Sequence, residues 1–163
     1  MKKVIKEKSL KEDYQGWVLN QIDFLDTFAT TNHKNTVTEI ANLIFNTMPV
    51  WIDFLFKIRN VLVSVVGLKT VQPIDYSVEY KIGGYIGFFR IYELKATEIV
   101  LGVNDKHLNF RVVVGKTKSE FYNVKITTLV TYHNKFGMVY MNVIKPFHKL
   151  VVKHMVKQAY RKP

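Results

Sequence analysis

The sequence predicts an α+β fold in which an antiparallel meander is closed by a long C-terminal helix. Three observations carry this expectation. Helical patterns with their own start signals occupy residues 35–66. Short apolar runs separated by turn residues then recur from residue 76 to residue 144. The last third, from Phe121 to Pro163, holds eight Lys/Arg and no Asp or Glu, and it ends in an amphipathic segment.

Taken in order, residues 1–12 read as a charged N-terminal tail, with Lys2, Lys3, Lys6, Lys8 and Lys11 against Glu7 and Glu12. A single domain is expected over residues 13–163. Within Trp17 to Thr30, the apolar positions 22, 24 and 28 alternate roughly with polar ones, which suggests a first strand. Thr36 and Glu39 have the S/T-x-x-E spacing of a capping box, so a helix should run to about Asn46. Pro49 sits where a missing N–H is harmless, at the first position of a second helix reaching about Val66. On a helical wheel Asp53, Lys57, Asn60 and Ser64 form one narrow polar stripe. Trp51, Phe54, Leu55, Ile58, Val61, Leu62 and Val65 cover nearly all the rest, interrupted by Arg59.

Strands are then expected at Tyr76 to Ile82, Gly87 to Glu93, Glu98 to Val103, His107 to Gly115, Glu120 to His133 and Gly137 to Ile144. The turns between them lie at residues 95–97, 104–106, 116–118 and 134–137. Connections this short make neighbours antiparallel. The final helix is expected to start near Pro146, with Lys149, Lys153 and Lys157 within about an 80° arc and Val151, Val152, Met155 and Ala159 opposite. The order strand, two helices, meander, terminal helix is the layout of a helix-grip fold. Its curved antiparallel sheet of about six or seven strands wraps on the long C-terminal helix.

Composition bounds what such a chain does. At 163 residues, 48% hydrophobic and 13% aromatic, one globular domain with a substantial core is expected. The absence of cysteine excludes disulfides, thiolate metal sites and Cys nucleophiles. No secretory signal is visible. The most apolar region, Leu43 to Leu68, is broken by Pro49, Asp53, Lys57 and Arg59, so no transmembrane segment is expected and the cytoplasm is the expected location. The net charge of +11 raises nucleic acid or an anionic membrane as partners. Eleven of the 24 basic residues, however, lie in the first 11 and last 19 positions, where charges are usually just solvated.

Several stretches together resemble a known family: Leu55–Asn60, Gly67–Lys69, Leu101–Arg111, and Tyr140 through Pro146-Phe147-His148. They resemble a family of small bacterial proteins of unknown function, related to the START / polyketide-cyclase-like (SRPBCC) superfamily. The resemblance covers roughly Asp13 to Ala159. It implies a curved sheet around the last helix with an apolar cavity between them. Members of the superfamily bind lipids, sterols or polyketides, and some act as cyclases or hydratases.

No residue pattern announces a reaction. His148 and His154 are six apart, about 120° around a helix, and have no local carboxylates, so neither metal nor cofactor is expected. Asp105 and His107 have the spacing of an oriented imidazole, but an Asp at a turn commonly bonds its own backbone. Glu93 and Glu98 flank a hairpin and can oppose each other as a carboxylate pair or be solvated. Arg59 must snorkel, pair with an acid such as Glu93, or meet a ligand anion. The run Gly83-Gly84-Tyr85-Ile86-Gly87 lacks the strand–loop–helix setting of a phosphate loop, and Ser64 and Ser77 lack that of a nucleophile elbow.

The expected function is binding of a small hydrophobic or amphipathic ligand between the sheet and the C-terminal helix. Trp51, Phe54 and Phe110 would supply apolar wall, and Arg59, Tyr140 or His148 polar contact. Two alternatives stand beside it. One is a cyclase or isomerase using Tyr140, His133 or His148. The other is surface binding to RNA or anionic membrane through Lys149, Lys153, Lys157 and Arg161.

Overall fold

The computed structural model describes residues 2–46 and 80–162. Seven strands form one sheet: β1 (Val4–Glu7), β2 (Phe24–Thr30), β3 (Tyr85–Ile86), β4 (Phe89–Leu94), β5 (Glu98–Asn104), β6 (Leu108–Lys116) and β7 (Val124–Tyr132). Their spatial order is β1-β2-β7-β6-β5-β4-β3, and every pairing is antiparallel. Among the described residues the α-helices are α1 (Val37–Phe45) and α2 (Lys135–Gln158). This is an α+β, helix-grip-like fold. The second of the two expected helices, with Trp51, Phe54 and Arg59, lies outside the described residues.

Local chemistry explains most boundaries. The Thr36 hydroxyl accepts from the Glu39 amide at 3.3 Å, and the Glu39 carboxylate accepts from the Thr36 amide at 2.8 Å, so α1 begins at the expected capping box. Those bonds, the hydroxyl of Thr36 and the side-chain amide of Asn35 hold the Glu39 carboxyl below its ordinary value. At the β5–β6 turn the His107 amide donates to the Asp105 carboxylate at 3.2 Å, which makes Asp105 a turn residue. Glu93 and Glu98 do not face each other as a proton-sharing pair; both reach the ammonium of Lys95, at 3.3 and 3.7 Å.

The structure departs from the sequence expectation in several places. Of the strand expected at Tyr76 to Ile82, residues 76–79 lie outside the described residues and residues 80–82 form a bend and turn, and the strand expected from Glu120 begins only at Val124. The charged N-terminal segment supplies β1, an edge strand paired with β2 from Val4↔Thr30 to Glu7↔Thr27, so it is not a detached tail. Residues 17–19 are not part of a strand; β2 starts at Phe24. Residues 137–144 are helical, and α2 starts at Lys135 instead of near Pro146.

The reason for the long helix is a stripe that a strand could not satisfy. Gly137, Met141, Met155, Val156 and Ala159 are buried, with Ile144, His148, Val151 and Val152 half-buried between them, a 3-and-4 spacing that runs straight through Pro146. Pro146 falls on the exposed side, where its missing N–H leaves a carbonyl that water can reach. Asn134 caps the helix, its side-chain oxygen accepting from the Gly137 amide at 3.1 Å. Gly137 has no side chain because a Cβ there would overlap the backbone carbonyl of His107, against which the helix start packs.

The sheet is covered on both faces. On the inner face, α1 and α2 bury Val4, Phe28, Ile91, Ile99, Leu101, Val112, Val114 and Ile126. The expected inward set of β6, Leu108, Phe110, Val112 and Val114, lies on this face. On the outer face, the segment carrying Tyr14, Val18, Leu19 and Ile22 covers Val100, Val113 and Leu129. A hydroxyl ladder fixes that cover: Thr27 and Thr127 pair at 3.0 Å, Tyr14 reaches Thr127 at 3.0 Å, and Thr27 donates to Ser9 at 2.9 Å.

Candidate ligand site between the sheet and the terminal helix

α2 is pinned at both ends. At its start, His107 Nδ1 contacts the Asn134 side chain, and its ring packs on Phe136 with centroids 4.6 Å apart. At its end, the Asn32 side-chain amide donates to the Ala159 carbonyl at 2.7 Å, and the Arg161 amide donates to the Thr31 carbonyl at 2.8 Å. His148, mid-helix, is thereby held over the inner face.

The register sets what His148 meets. Phe24, Val130 and Phe110 form one row across β2, β7 and β6, and Asp26, Thr128 and Val112 form the next. The His148 ring packs edge-on against Phe24, centroids 5.6 Å apart. Burial pushes its imidazole down to about 4, opposed by the Asp26 carboxylate and assisted by the Lys6 ammonium. His148 is therefore neutral at pH 7, and it is electrostatically coupled to both charges.

Asp26 is 3% exposed on this otherwise apolar face. One carboxylate oxygen takes the Lys6 ammonium at 2.7 Å, while Oδ2 has no hydrogen-bond partner. His148 Nε2 is likewise buried and unpartnered. Tyr132 Oη is the third such atom among the described residues, four positions along β7 from Thr128, the partner of Asp26. Burial raises the Tyr132 phenol and the Asp23 carboxylate adds to that. Nearly all buried polar atoms find a partner in protein or ordered water, so these three atoms are the points on the inner side of the sheet where a water or a ligand donor would bond.

Lys6 joins this buried pair to a cleft of about 480 Å³ between the β1–β2 edge and α2, lined by Lys2, Val4, Ile5, Lys6, Phe28 and Lys153. A second cleft, about 460 Å³, lies at the start of α1 between His33, Lys34, Thr97, Lys116 and Lys118. There the helix-start amides are capped by Thr36 and Glu39, and the Lys116 ammonium donates to the Asn35 carbonyl at 2.6 Å. The described residues contain no group of three or more His, Cys, Asp or Glu arranged to hold a metal. No described helix is long and apolar enough to cross a membrane.

The sequence-predicted site residues are distributed as follows. Phe110 stands two strands from Phe24 in the same row, about 10 Å away at ordinary strand spacing, with its ring against Phe89 at 5.5 Å. Tyr140 is half-buried in the first half of α2. His133 is exposed, its amide bonded to the His107 carbonyl. Lys149, Lys153 and Lys157 are exposed as expected, whereas Arg161 turns back onto the carbonyls of Gln158 and Tyr160. Asp26 is a site residue that the sequence does not single out. The available signal is an acid at an inward position of an alternating strand, between Phe24 and Phe28.

Fold and site define a helix-grip-like α+β protein with a neutral imidazole and a carboxylate buried under its terminal helix. The chain belongs to the family described as protein of unknown function DUF2867, whose model matches residues 18–155. Neither the curated proteins nor the solved structures contain a match.

Proposed function

We propose that this protein binds a small apolar or amphipathic molecule between the sheet and α2, as the START / polyketide-cyclase-like superfamily it resembles does. The observation that carries the reading is the pair of unpartnered atoms, Asp26 Oδ2 and His148 Nε2, beside a lysine that opens on a cleft. Leaving a buried acceptor unpaired costs about 1–3 kcal/mol, a penalty an apolar residue at either position would avoid. The cleft volume falls within the range of small-molecule sites, and Val4 and Phe28 give it an apolar floor. The bound molecule lays its body on Phe28 and Val4 and turns a hydroxyl inward to donate to Asp26.

The test is native mass spectrometry of the purified chain together with amide NMR titration against a panel of aliphatic alcohols and diols. Shifts centred on Asp26, Phe28 and His148, weakened about tenfold in Asp26→Asn, are expected. An unperturbed spectrum across the panel, with no co-purifying species, would sink the proposal.

A second reading is favoured by the same pair. A buried, neutral imidazole with an unpartnered Nε2 can exchange a proton or hydrogen bond with a bound molecule, which is what a cyclase or isomerase on this scaffold would need. It requires that His148→Gln keep ligand affinity while losing turnover; equal loss of both leaves His148 a binding residue.

A further inference from the structure

We infer that the ligand of this cleft is an amphiphile with an anionic end, seated on Lys2 and Lys153 at the mouth, opposite the hydroxyl that meets Asp26. The inference rests on the cleft being a ligand site, and it adds the chemical class. Three ammonium groups line the opening and no carboxylate does. Lys6 is already matched by Asp26 at 2.7 Å. Lys2 and Lys153 have no acidic partner among the described residues. Lys153 cannot find one on its own helix, because no Asp or Glu follows Glu120. The mouth therefore carries two positive charges without an acidic partner among the described residues, above the lining side chains of Val4 and Phe28. An apolar floor with a one-signed cationic rim discriminates by charge: it accepts an anion, is indifferent to a neutral alcohol and repels an amine. The position is also local. Lys149 and Lys157 share the exposed face of α2 with Lys153 but do not line the cleft.

The experiment is calorimetric titration of the full chain with ω-hydroxy acids of about six to twelve carbons, a span that matches a cleft of this volume, beside the matched diols and the matched unsubstituted acids. The hydroxy acid is expected to bind about tenfold more tightly than the diol of equal length, and less so as salt is raised. The double variant Lys2→Gln/Lys153→Gln should erase that preference, bringing the hydroxy acid to the affinity of the diol measured on the same variant. The control Lys149→Gln/Lys157→Gln should keep it. Equal binding of acid and diol, or a preference that survives loss of Lys2 and Lys153, overturns the anionic assignment and leaves the binding site itself standing. Binding of no compound at any length overturns both. Capture of the chain only by phosphatidylserine vesicles, lost in the Lys149/Lys157 control, also overturns it by moving the interaction to the helix surface.

Discussion

Among the described residues each face of the sheet buries one charge, Arg111 on the outer face and Asp26 on the inner, and the two are treated oppositely. Arg111 is 7% exposed and has no acidic partner among the described residues. Its guanidinium nonetheless spends itself on protein: it stacks on Tyr92 at 3.6 Å and donates to the carbonyls of Phe110 and Val103, at 2.8 and 3.3 Å, and to the Asn104 side chain at 2.8 Å. Burial lowers its pKa, with Tyr92 acting in the other direction. Asp26 has an ion partner, yet one oxygen is left bare, as is the neighbouring His148 Nε2. A charge saturated by its own fold is structural. A charge left half-satisfied in an apolar layer is the candidate for a ligand contact proposed above.

The largest expected effect tests the structural half of that contrast. Arg111→Ala removes the stack on Tyr92 and strips donors from three acceptors, so it should cost about 4 kcal/mol of unfolding free energy in urea. Arg111→Met, which refills the volume without charge, should recover most of it. Neither should change ligand binding. Gly102→Ala attacks the same place from β5, because a Cβ there would meet the Phe110 carbonyl and the Arg111 side chain. A cost of about 2 kcal/mol is expected. A chain indifferent to Arg111→Ala would mean the outer charge is not structural, and the contrast would fail.

The next effect belongs to the inner face and has a defined sign. The folded chain holds His148 at about 4, below the ordinary 6.5, because burial favours the neutral ring. Between those values the unfolded chain binds a proton that the folded chain does not. The contribution is complete above about pH 6.5 and is lost as pH falls toward 4, amounting to about 3 kcal/mol. His148→Phe keeps an aromatic edge on Phe24 and cannot titrate. Its stability should therefore fall less than that of the wild type between about pH 7 and pH 4. Parallel curves would mean that His148 is solvated and that the inner site is not closed.

How much of this is legible in the chain divides along physical lines. Local rules carry the capping box at Thr36 and Glu39, the turn chemistry at Asp105 and the alternation of β6, because each depends on residues a few positions apart. They misplace the start of α2, because Gly137 through Ile144 mixes β-branched and aromatic residues while Pro146 imitates a first helical position. Only the long-range burial of Gly137 against His107 and of Met141 under the helix decides for helix. They also miss β1, because its two apolar residues, Val4 and Ile5, are too short a run to stand out among the flanking lysines and glutamate; its pairing with β2 is what orders it. For the site, His148 is legible as a histidine on the terminal helix and Phe110 as an inward residue. Asp26 is not, since one acid in a strand means nothing until the sheet shows which face it occupies and that Lys6 lies beside it.

The smallest expected effect is the most discriminating. If Asp26 were structural, as Arg111 is, removing its charge would destabilise the chain, because the ion pair with Lys6 would be lost. Lys6, however, is half-exposed and can return to water, so that loss is small. The bare Oδ2 is a desolvated acceptor of a charged group, and Asp26→Asn puts a neutral amide, less demanding of solvation, in the same volume. The substitution should therefore raise stability by about 1 kcal/mol in urea unfolding at neutral pH while weakening binding of hydroxylated ligands. A gain in stability coupled to a loss of binding marks a residue kept for function at the expense of the fold. A loss in both would return Asp26 to the class of Arg111 and erase the difference between the two faces.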